Sequence, residues 1–74
     1  MRAFVDRDGA RWDVVLGRES WGTLLLLFVP AAGGLPVRQA FFPAVSYDIA
    51  VVELDRLTDE RLQQLLDAAE PRPD

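Results

Sequence analysis

A chain of 74 residues makes one domain, close to the lower size limit for folding without staples, and the absence of cysteine removes the disulfide route. Half of the residues are hydrophobic, which supplies a core and excludes a disordered polymer. Twelve acids against eight arginines leave a net charge of −4, and the arginines are scattered rather than clustered. That excludes the basic stripe that nucleic-acid binding requires.

Lysine, histidine and asparagine are all missing, which reads as the codon bias of a GC-rich bacterial genome. The longest apolar run, Leu24 to Val29, is six residues and stops at Pro30. A spanning helix needs about 20 apolar residues, so no membrane insertion is expected. Asp6, Arg7, Asp8 and Asp13 interrupt any apolar segment of a secretory leader, and a cytoplasmic location is the expectation.

In chain order, Arg2–Arg7 and Ala10–Leu16 flank Asp8-Gly9, a dipeptide suited to a two-residue hairpin turn. That turn sets Val5 opposite Trp12, Ala3 opposite Val14, and Asp6 opposite Arg11 as an ion pair. Gly17 to Gly22 reads as a connection. Thr23 to Val29 follows as a strand that is apolar at every position after Thr23, the pattern of a strand covered on both faces. Ala31-Ala32-Gly33-Gly34 reads as a four-residue loop and Leu35 to Phe42 as the returning strand. Phe28 then faces Val37, Leu26 faces Gln39, and Leu24 faces Phe41. Ser46 to Leu54 is read as a short strand because Ile49, Val51 and Val52 are β-branched. The spacing of Ala50, Leu54 and Leu57 gives the alternative, a helix capped by Ser46. Thr58 caps a final amphipathic helix over about 59 to 70, with Asp59 and Glu60 in its first turn and a Leu57–Leu62 staple. Pro71 to Asp74 should fray.

The expected fold class is α+β: an antiparallel meander of four to five strands, open or curled into a small barrel, with one C-terminal amphipathic helix. One compact domain covers residues 1–70, and 71–74 form a tail.

The residues exclude most chemistry. Without histidine or cysteine there is no usual general base at neutral pH, no thiolate nucleophile and no Cys/His zinc set. Ser20 and Ser46 lack an activating base. Asp6-Arg7-Asp8-Gly9 is not a calcium loop, because the twelfth position counted from Asp6 is Gly17 rather than glutamate. Gly33-Gly34 lacks the lysine of a phosphate loop. No catalytic residue, cofactor or metal site is expected, and Trp12 and Phe41 are assigned to the core.

What remains is an apolar surplus. One helix covers one face of a small sheet, here Leu24, Leu26, Phe28, Val37 and Phe41. The other face then presents Leu25, Leu27, Val29, Ala40 and Phe42 around Arg38, and a contiguous apolar patch marks an interaction site. Together with Trp21, an aromatic anchor in the Gly17–Gly22 connection, these residues form the expected partner-binding surface. The expected function is a non-catalytic interaction module or accessory subunit that binds a copy of itself or another protein. The alternatives are a closed apolar barrel that holds a small ligand, and an acidic inhibitor seated in a basic cleft.

Overall fold

The computed structural model describes residues 2–19 and 22–72, so Trp21 and the last two residues of the tail lie outside the described residues. Five strands, β1 (Arg2–Val5), β2 (Arg11–Arg18), β3 (Leu24–Pro30), β4 (Arg38–Phe41) and β5 (Glu70–Pro71), form one antiparallel sheet in chain order. The sheet is not closed: β1 and β5 are its two edges. Among the described residues two helices, α1 (Tyr47–Arg56) and α2 (Asp59–Ala68), stand where one was expected.

The first hairpin turns over three residues, not two. Gly9 N–H donates to Asp6 O (3.1 Å), Asp6 N–H donates to Ala10 O (2.9 Å), and Gly9 takes a φ of +87°. This is the turn-plus-bulge hairpin, which places glycine at the left-handed position. Asp6 is its organising residue. Its carboxylate accepts from Asp8 N–H and Ala10 N–H, each at 2.9 Å, and from Trp12 Nε1–H at 2.9 Å. No Asp6–Arg11 ion pair forms. The register moves by one, Phe4 faces Trp12, and Phe4 rather than Val5 enters the core.

The same hydrogen-bond pattern closes β2 onto β3: Glu19 N–H donates to Thr23 O, Gly22 N–H donates to Glu19 O, and Gly22 has a φ of +85°. Gly17, expected in the connection, is therefore inside β2, opposite Leu25.

The β3–β4 ladder is also one residue away from the expected register: Leu25 pairs with Phe41, Leu26 with Ala40, Leu27 with Gln39 and Phe28 with Arg38. Phe42 N–H donates to Leu24 O, so alternate residues from Leu24 onward exchange hydrogen bonds with β4. Continued past Phe28, the next bonded rung would set Pro30 opposite Pro36. Neither proline has an N–H, so the ladder stops at Phe28, and the chain crosses residues 31–37 as a loop with Gly33 and Gly34 at positive φ.

Ser46–Leu54, expected as a strand, is helical. Ser46 accepts from Ile49 N–H, and burial of Ala50 and Leu54 along one stripe outweighs the β propensity of Ile49, Val51 and Val52. Thr58 caps α2 through Arg61 N–H, as expected, and Leu62 and Leu66 are buried beneath it. Arg2 binds the corner between the helices. It donates to Leu54 O and Asp55 O at the C-terminus of α1 and meets Asp59 at 3.1 Å in the first turn of α2. The chain after α2 does not fray at once: Glu70 and Pro71 pair with β4, and Arg72 N–H donates to Val37 O at 2.7 Å.

Both helices cover the same face. The core unites Phe4, Trp12, Val14, Leu24, Leu26, Phe28 and Phe42 from the strand segments with Ala50, Leu54, Leu62, Leu66 and Ala69. Phe28 lies at its centre, edge-on to Phe4 (6.2 Å) and to Trp12 (6.5 Å).

Candidate functional site: the uncovered sheet face

Side chains alternate across a strand, so the registers decide what the uncovered face carries. Leu25, Leu27 and Val29 of β3 point there, as expected, with Val15 of β2 beside them and Ala3 and Val5 of β1 beyond. From β4 the face receives Gln39 and Phe41. Arg38, Ala40 and Phe42, expected here, belong to the helix side. Arg38 reaches the Ala69 carbonyl at 2.9 Å, Ala40 packs against the core, and Phe42 is a core residue. The slip in register exchanges the two sides of β4 and leaves those of β3 in place. Trp21 cannot be placed, because it lies outside the described residues.

Phe41, expected in the core, is 74% exposed, the most exposed aromatic among the described residues. Leu25, directly opposite, is only 3% exposed and stays outside the core cluster, so it forms the floor of the face. Their rung is a non-bonded one, where facing side chains approach most closely. From there a groove of about 320 Å³, lined by Leu25, Gln39, Ala40, Phe41, Leu65, Ala68 and Glu70, runs around the free end of β4 to the flank of α2. Gly17 contributes to the same floor by having no side chain: a Cβ there would stand 3.1 Å from Leu27 Cδ1.

Charge differs in kind between the helices and the uncovered face. The helical segment 47–68 holds six acids and two arginines, and Arg2 and Arg7 of the β1 hairpin pair with two of those acids, Asp59 and Asp67. The uncovered face carries Arg11 and Asp13 on β2, and Glu70 and Arg72 at β5, two charges of each sign. Arg72 is held over this face by its 3.0 Å bond to Gln39 Oε1.

The carboxylates with altered acidity serve the fold. The Trp12 indole N–H, followed by the turn amides, lowers the pKa of Asp6. Asp67 is lowered chiefly by Arg7, at 2.8 Å, and then by Gln63, and Arg7 is raised in turn. Among the described residues no three Asp or Glu side chains gather as a metal-binding group.

A second apolar surface follows from the helical form of 46–54, the alternative to the expected strand. Ile49 and Val52 are exposed on the outer side of α1, and Val45, just before its Ser46 cap, is 92% exposed. Ser46 with Ala50 and Leu54 is its signal. The missed role of Phe41 had its own signal in the facing prolines, Pro30 and Pro36.

The fold and the uncovered face thus define a class, an open five-stranded meander backed by two helices. No protein-family model, curated protein or solved structure matches the chain. No helix among the described residues is long and apolar enough to cross a membrane.

Proposed function

We propose that this protein is a small non-catalytic interaction module, an accessory subunit that binds another polypeptide through the uncovered face of its sheet. The observation that carries this reading is Phe41, standing 74% exposed over an apolar floor of Leu25, Leu27, Val29 and Val15. A large aromatic beside a contiguous apolar patch is the composition of an interface centre. The part of the face around Leu25, Leu27 and Phe41 carries no charge, which fits the same reading, since interface centres are poor in charge.

Phe41→Asp tests it. The ring is not part of the core, so the variant should keep the wild-type circular dichroism spectrum while association with its polypeptide partner weakens at least about tenfold. Unchanged association would refute the reading.

A further inference from the structure

The partner chemistry follows from size and charge. This step rests on the reading of the uncovered face as an interface. We infer that its occupant is a second copy of this chain, stacked sheet on sheet about a two-fold axis with the helices of both copies outward.

Three observations point to that occupant. The first is charge. In a two-fold pairing each patch meets itself, so like charges face one another unless the patch is balanced. The uncovered face is balanced, by Arg11 and Arg72 against Asp13 and Glu70. The other apolar surface lies on α1, whose three acids against one arginine would set like charges opposite one another in such a pairing.

The second is area. The molecule measures 32 × 29 × 19 Å. Its broad side matches the roughly 800 Å² per partner of a standard stable interface.

The third is core size. In a 74-residue chain without cysteine, whose core is a single layer between sheet and helices, association is one of the few ways to bury more apolar area. Two such faces packed about 10 Å apart interleave Val15, Leu25, Leu27, Val29 and Phe41 with their copies, which gives each sheet the second apolar layer that it lacks.

Sedimentation velocity on the full chain over a dilution series tests this. The expected result is a species of twice 8.3 kDa that Phe41→Asp converts to monomer and Val52→Asp, on the outer side of α1, leaves intact. Phe41→Cys, which gives the chain its sole thiol, supplies a second readout should the aspartate variant fail to fold. Its reaction with a maleimide should be slow at high protein concentration and accelerate at least about tenfold on dilution. A wild-type monomer at every concentration overturns the inference, and so does a dimer broken by Val52→Asp but not by Phe41→Asp. If the monomer instead binds a different protein and Phe41→Asp abolishes that complex, the second copy is overturned while the interface reading stands. If Phe41→Asp changes no association of any kind, both fall.

Discussion

Asp6 organises the first turn through a single carboxylate. One carboxylate receives two turn amides and the indole N–H of a buried tryptophan. Asp6→Ala leaves Trp12 Nε1–H without its partner, which should cost about 1–3 kcal/mol. In a domain of this size that lowers the melting temperature by several degrees, measurable by calorimetry. The lowered pKa values of Asp6 and Asp67 fix the sign of the acid response. A carboxylate depressed in the folded state stabilises it above the ordinary aspartate pKa, and that stabilisation fades as pH falls through the folded value. Stability should therefore decline below about pH 4, and Asp6→Asn should flatten the decline. Salt should weaken only the part due to the exposed Arg7–Asp67 pair, because Asp6 binds neutral N–H groups. The turn was half legible. Asp8-Gly9 signalled a hairpin, but Asp6, three residues before Gly9, is what sets its length.

At the scale of elements, the strands and their hairpin order could be read from apolar runs and glycines, and both registers could not. Register depends on where a ladder begins and ends. Asp6 and Gly9 decide this for β1–β2, and two prolines on one rung decide it for β3–β4. The helix α1 was hidden for a different reason. Its outer positions hold Ile49 and Val52, residues that favour strands, and only its cap and its Ala50–Leu54 stripe carry helical information. Ser46→Ala should cost about 1 kcal/mol of stability through loss of the cap. Val52→Ala should instead be neutral or stabilising by up to about 0.7 kcal/mol, since the side chain is half exposed and alanine is the better helix former. Thermal melts of both variants check the pair, and a destabilising Val52→Ala would show that something covers the outer side of α1.

At the scale of the molecule, an uncovered apolar sheet face was foreseen, and half of its membership was correct. β3 supplied Leu25, Leu27 and Val29 whichever register held, because they belong to one strand. The β4 contribution required the register, so Phe41 and Phe42 exchanged places. A second copy on that face couples stability to concentration by mass action. The melting temperature of the wild type should rise with protein concentration, while that of Phe41→Asp should not. The sheet also has a kinetic meaning. Because strand order equals chain order, β1 to β4 assemble through neighbouring hairpins, and loop closure costs little at each step. β5 is the exception, since it returns across both helices to meet β4 with two paired residues and the Arg72–Val37 bond. Such a contact should form after the main barrier and then slow its reversal. Ending the chain after Ala69 should leave the refolding rate nearly unchanged and make unfolding several-fold faster in stopped-flow measurements. The last strand thus acts as a latch on the native state, setting how long the fold persists rather than how quickly it is reached.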